Sequence, residues 1–171
     1  MLEDYKKHCK EREEIGIPPL PLNAEQTAEV VNLLKKEHDE NNLLLDLLKE
    51  RVPAGVDDAA YVKAGFLSDL TKGKTESPYI TKEDAVAILG TMLGGYNIQP
   101  LIDCLEIEGL ADDAANALSN TLLIFDAFND IYEMSKTNEY AKTVINSRIN
   151  YCLSILICFW HFIDIIKGIK N

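Results

Sequence analysis

Apolar side chains recur every three or four positions along most of this chain, which is the period of amphipathic helices. Proline and glycine interrupt this pattern at short intervals, so the sequence predicts many short helices. No segment before about residue 138 alternates as a strand does. We therefore expect an all-α fold of stacked helical hairpins, an α-solenoid, although no strict sequence period supports the stacking.

The first third of the chain predicts a leader helix followed by a helical hairpin. The leader helix should end before Gly16, and the prolines after it should strap it onto the core as an extended connector. Asn23 and Gln26 form a capping-box pattern that predicts the next helix start. The apolar positions expected to face each other in this hairpin are Val30, Leu33, Leu34, Leu43, Leu44, Leu47 and Leu48.

The middle of the chain predicts three further helices. One begins near Asp57 and Asp58, whose charges suit a helix N-terminus, and ends at Gly73. Another begins at the capping-box pair Thr81 and Asp84. The apolar positions expected on the buried faces are Val62, Phe66, Leu67 and Leu70, then Val86, Leu89, Met92 and Leu93, then Ile98, Leu101, Ile102 and Leu105.

The last third predicts a long helical stretch and a final polar helix. Asp112 and Asp113 open the stretch, and a break near Ser119 stays open because spacing does not fix it. The final helix should begin at about Asn138. Phe125, Phe128 and Tyr132 are expected in the core or between helices, with the alternative that an exposed part binds a partner helix.

One loop is a candidate interaction surface. It consists of Gly94, Gly95, Tyr96 and Asn97, where two glycines permit a close backbone approach and a tyrosine can contact a partner. Simple helix termination is the competing interpretation. A phosphate cradle involving Gly90 is disfavoured, because no Lys-Ser or Lys-Thr pair follows the glycines.

No catalytic, cofactor-binding or metal-binding residue is predicted. The histidines His8, His38 and His161 are isolated from nucleophiles and carboxylate pairs. The acid pairs at 57–58 and 112–113 are explained by helix N-termini. The four cysteines at positions 9, 104, 152 and 158 lack the spacing of a zinc or redox motif, which favours reduced thiols in the cytoplasm.

The charge balance argues against nucleic acid as a partner. The chain has 28 acidic and 17 basic residues among 171, giving a net charge of -11. Such a chain repels phosphate backbones, although a local basic patch stays open. With 47% apolar and 26% charged residues it can form one ordinary globular core.

Three stretches resemble a known family. They are RVPAGVDDAAYVKAGFL at 51–67, LGTMLGGYNIQPLID at 89–103 and ALSNTLLIFDAFNDIYEMSKTNEYAKTVINS at 117–147. With the opening MLEDYKKH, they resemble the N-terminal HEAT-like domain of bacterial aconitate hydratase B. The resemblance implies that residues 1–147 form this domain, which precedes the domains that perform the chemistry.

The resemblance also implies an activity that this chain lacks by itself. The family interconverts citrate and isocitrate through cis-aconitate in the tricarboxylic acid cycle, and members also hydrate 2-methyl-cis-aconitate. A [4Fe-4S] cluster held by three cysteines is required, and none of the four cysteines here matches those positions. The resemblance therefore implies no cofactor in this chain and an inactive domain that shapes active-site access and associates with other proteins.

The resemblance stops after Ser147, where residues 148–171 form a divergent apolar tail that is expected to extend the last helix. Between residues 149 and 166 the only charge is Asp164, so this segment is a candidate membrane span. A frameshift or premature stop is the favoured explanation of the tail.

Three functions therefore stay open. The first is a docking domain that binds the remaining aconitase domains or itself, as a homodimer. The second is a tail-anchored adaptor, and the third is one piece of a split aconitase.

Overall fold

The computed structural model describes residues 1–121, 124 and 126–151. All regular elements among these residues are helical and none is a strand, which confirms the all-α prediction. Residues 139–151 are helical as well. The other elements are α1 (Leu2–Glu14), α2 (Ala24–Leu34), α3 (Asn41–Asp46), a π-helical turn (Leu47–Arg51), α4 (Asp58–Thr71), α5 (Lys82–Gly90), α6 (Ile98–Cys104), α7 (Ala111–Asn120) and α8 (Phe128–Met134).

Local capping interactions set the start of three helices. At α2, the Asn23 side chain accepts a hydrogen bond from the Gln26 amide and the Gln26 side chain accepts one from the Asn23 amide. The same reciprocal pair forms between Thr81 and Asp84 at α5. The Asp57 carboxylate accepts two amide hydrogen bonds at the start of α4. The three predicted helix starts are confirmed. They could be predicted from the sequence because each depends only on residues within one helical turn.

The helices pack against one another in a connected series. Helix α4 contacts α2 and α5, while α5 contacts α7 and α7 contacts α6. Leucine is the commonest residue in the core that these contacts enclose, and Leu34, Leu48, Leu67, Leu89 and Leu118 are fully buried. Each helix thus covers part of its neighbour's apolar face, while the regular stacking of a solenoid stays a prediction.

The leader helix is fastened to the core through the connector after it. Tyr5 on α1 is buried, and its hydroxyl donates to the Leu20 carbonyl at 2.8 Å. The Arg51 guanidinium donates to the Pro19 carbonyl and to the Tyr5 hydroxyl. The His8 Nε2 atom accepts a hydrogen bond from the Leu20 amide. The expected strap is confirmed, and Arg51 from the π-helical turn helps to hold it.

Two expectations about apolar side chains were wrong. Leu93 was expected on a buried helix face, but its side chain is 69% exposed. Helix α5 ends at Gly90, so Leu93 lies on the following loop, where the helical period no longer applies. Phe128 and Tyr132 are exposed on α8 rather than in the core, so the alternative of an exposed part that binds a partner helix stays a prediction, while Phe125 lies outside the described residues.

The predicted long stretch does break near Ser119. Helix α7 ends at Asn120, and Thr121 adopts an extended conformation. No helix among residues 1–121, 124 and 126–151 is long and apolar enough to cross a membrane. The candidate span at 149–166 lies outside those residues from 152 onward, as do Cys152, Cys158 and His161.

Candidate docking surface

Two loops pack directly against each other beside α4. The first covers residues 53–57 and the second covers residues 91–97. The Leu93 amide donates to the Ala54 carbonyl at 2.9 Å. Next to it, a Cβ atom added to Gly94 would overlap the Gly55 carbonyl group and come within 2.9 Å of the Val56 nitrogen. The close approach that the glycines were expected to permit is therefore made to the chain's own backbone.

The second loop is held further by Tyr96 and Asn97. The Tyr96 hydroxyl donates to the Val56 carbonyl at 3.0 Å. Asn97 is fully buried, and its Nδ2 atom donates to the carbonyls of Leu89 and Met92 at 2.9 and 3.0 Å. Because the Asn97 side chain satisfies one carbonyl in the last turn of α5 and one in the loop after it, it acts inside the loop and does not reach a partner. The predicted surface loop thus divides into Tyr96, which is accessible, and Asn97, which is structural.

Four apolar side chains remain exposed around the packed loops, and we call them the aromatic loop patch. They are Val56, Tyr61, Leu93 and Tyr96. Val56, Tyr61 and Leu93 are 72%, 64% and 69% exposed, whereas Tyr96 is 36% exposed. The rings of Tyr61 and Tyr96 meet edge to face, with 5.4 Å between centroids and 73° between planes. This arrangement displays apolar area on a backbone fixed by hydrogen bonds, as protein-binding surfaces do.

Three of these side chains were not predicted as surface residues. Tyr61 lies in the first turn of α4, outside the set of apolar residues expected to face the core. This position could have indicated that its side chain is exposed. Val56 sits between a glycine and two aspartates, where no helical period buries it. Leu93 was assigned to a helix that ends earlier. Only the position of Tyr96 was recognised.

The other candidate groups have structural roles. His38 Nδ1 accepts the Glu40 amide, as His8 Nε2 accepts the Leu20 amide. A Cβ on Gly90 would lie 3.0 Å from the Ala117 Cβ, so this glycine permits close packing of α5 on α7. Asp112 and Asp113 lie in the first turn of α7. These positions fit the packing and helix-terminus interpretations.

Comparison with known protein families shows to which family the chain belongs. The sequence model of the family described as the aconitate B N-terminal domain matches residues 4–151. The chain belongs to this family. Relatives include the proteins named aconitate hydratase B from Escherichia coli, 57% identical over 149 residues, from Synechocystis, 53% identical over 150 residues, and from Helicobacter pylori, 49% identical over 151 residues.

The aconitate B N-terminal domain is a small part of these relatives. The aligned region is 86–87% of this chain but only 17–18% of the relatives' length. The match ends at residue 151, close to the predicted domain end at Ser147. Most of the tail therefore lies beyond the region that the family model covers.

The described residues do not fit an iron–sulfur cluster. No group of three histidine, cysteine or acidic side chains among them could hold a metal ion. Cys9 lies on α1 and is partly exposed, whereas Cys104 is buried at the end of α6. Burial raises the pKa of the Cys104 thiol, which disfavours the thiolate that ligates iron. The described part of the chain therefore offers no set of ligands that fits the cluster.

Proposed function

We propose that this chain is a non-catalytic docking domain of an aconitate hydratase B, located in the cytoplasm, and that it binds the remaining domains of such an enzyme. The conversion of citrate to isocitrate through cis-aconitate, with its [4Fe-4S] cluster, is then the task of those domains. Family membership and the small aligned share of the relatives support this division of labour.

The aromatic loop patch is the observation on which the proposal depends. Tyr61 and Tyr96 offer large side chains with few rotatable bonds, so ordering them on binding costs little conformational entropy. The backbone beneath them is already fixed by the Leu93–Ala54 and Tyr96–Val56 hydrogen bonds. A partner that covers these side chains gains the free energy of apolar burial, at about 25 cal/mol per Å².

The proposal predicts that removing the two rings weakens docking. The partner is E. coli aconitate hydratase B without the N-terminal region that aligns with this chain. With this chain ended at residue 151, we expect Tyr61→Ser/Tyr96→Ser to raise the dissociation constant at least about tenfold, because buried aromatic side chains dominate interface energies. Fluorescence anisotropy of the labelled chain measures the change.

Tyr140→Ser is the matched control, since Tyr140 is 39% exposed on the helix at residues 139–151 and does not belong to the patch. The control should bind within about twofold of the parent chain. Equal weakening by both variants, or none by either, would show that the patch is not the docking site. If the chain instead forms a dimer that the patch substitutions dissolve, the patch serves self-association and the proposed partner is wrong.

A further inference from the structure

A buried lysine on α4 lines a cavity to which none of the four side chains of the aromatic loop patch contributes. Lys63 is 2% exposed, although lysines are rarely buried without a partner. The cavity opens to solvent between the π-helical turn, the first loop and α5. Its lining consists of Lys63 together with Lys49, Glu50, Ala54, Ala87, Ile88 and Thr91.

The Lys63 ammonium is incompletely satisfied. Its Nζ atom donates to the Lys49 carbonyl at 3.4 Å, which is a long hydrogen bond for one of three available N–H groups. No carboxylate within the described residues forms an ion pair with it. Burial lowers the pKa of Lys63 to about 8, and nearby Glu50 opposes this shift. At neutral pH the group is therefore mostly charged, with donors to spare.

The other groups that line the cavity determine which ligand can bind next to the Lys63 ammonium. The Thr91 hydroxyl already donates to the Ile88 carbonyl at 2.7 Å. Two lysines and one glutamate give the lining a single excess positive charge. The apolar part of the cavity wall is formed by Ala54, Ala87 and Ile88. One carboxylate matches this charge, whereas a phosphate dianion exceeds it. Glu50 repels either anion, and it repels the dianion more strongly.

We propose that this cavity binds a single carboxylate group whose oxygens accept hydrogen bonds from Lys63 Nζ. Such a ligand satisfies the remaining N–H groups of a charge that is otherwise buried and unpaired. The carboxylate can belong to a small free acid or to an aspartate or glutamate side chain of a partner polypeptide. The site is separate from the aromatic loop patch and does not depend on the proposed docking function.

NMR of lysine side chains tests the proposal. In the full chain with 13C-labelled lysine, Lys63→Arg identifies the Lys63 Cε signal by its disappearance. Sodium acetate up to about 100 mM, with chloride matching the ionic strength, should raise the pKa of Lys63 by about half a unit or more, because the anion binds the charged form. An identical titration in acetate and chloride would overturn the proposal.

A second measurement uses backbone amides and a matched pair of variants. Acetate should shift the amide signals of Thr91 and Ala87 in a saturable manner, and Lys63→Met should abolish these shifts. Lys142→Met removes an exposed lysine that pairs with Glu139 on the last helix, so it should leave them intact. Persistence of the shifts in folded Lys63→Met would assign the binding to other groups and refute the site.

The source of the carboxylate follows from a second probe. N-acetyl-glutamate N-methylamide presents the carboxylate as a glutamate side chain does. Saturable binding of this probe, as tight as that of acetate or tighter, supports a polypeptide source. Binding of acetate alone supports a small acid, and binding of neither overturns the proposal.

Discussion

Gly94→Ala should destabilise the domain by about 3 kcal/mol or more, because the added methyl group has no room. The new Cβ would overlap the Gly55 carbonyl, and backbone atoms cannot rotate away as the end of a side chain can. The two loops must separate to admit it. This movement would break the Leu93–Ala54 and Tyr96–Val56 hydrogen bonds. Urea unfolding followed by circular dichroism measures the loss.

Gly65→Ala is the control for this substitution. Gly65 lies inside α4, and a Cβ there meets no atom within 4 Å. Alanine has the higher helix propensity, so this variant should gain about 0.5–1 kcal/mol. A Gly94→Ala protein as stable as the parent would show that the loops are not in close contact, and the rigidity assigned to the aromatic loop patch would be lost with it.

Lys63→Met should stabilise the domain at neutral pH and change the pH dependence of its stability. Methionine fills a similar volume without a charge, and replacing buried charges by apolar side chains is often neutral or stabilising. A pKa lowered from 10.5 to about 8 corresponds to a penalty of about 3 kcal/mol for the charged folded form. The lost hydrogen bond to the Lys49 carbonyl offsets part of the gain, so about 1–3 kcal/mol is expected.

The sign of the pH effect follows from proton binding. The folded pKa of Lys63 lies below the unfolded value, so between about pH 8 and 10.5 the unfolded chain holds more protons. The free energy of unfolding of the parent protein should therefore gain a stabilising contribution as pH rises through this window. Lys63→Met lacks that contribution, so its advantage over the parent should shrink from pH 7 to 9.5.

Urea unfolding at the two pH values measures this convergence, and Lys142→Met serves as the exposed-lysine control. The difference between Lys142→Met and the parent should stay nearly constant over the same interval, because Lys142 is more than half exposed. If Lys63→Met and the parent change in parallel with pH, Lys63 is not a destabilising buried charge.

Local signals in the sequence predicted the helix starts well. The Asn23–Gln26 and Thr81–Asp84 pairs involve residues within one turn, so their hydrogen bonds follow from spacing alone, and the charges of Asp57 and Asp58 indicated the start of α4. Helix ends were harder to place. Continuing the helical period beyond Gly90 placed Leu93 in the core, although its amide pairs with a distant loop instead.

Features that depend on distant segments were the ones that sequence reasoning missed. The glycines at 94–95 indicated a close approach, but no local signal named Gly55 as the group approached. Nothing in the sequence around Lys63 distinguishes it from an exposed lysine on a helix. Its burial follows from how α4 packs beside the π-helical turn and α5. The π-helical turn itself lies within what the leucine pattern indicated was an uninterrupted helix.

Sedimentation velocity of an equimolar mixture tests the docking function most directly. The mixture contains this chain, ended at residue 151, and E. coli aconitate hydratase B without its aligned N-terminal region. We expect one complex that contains one copy of each protein and sediments faster than either component. Two independently sedimenting species at about 100 µM, a concentration at which even weak docking is detectable, would contradict it.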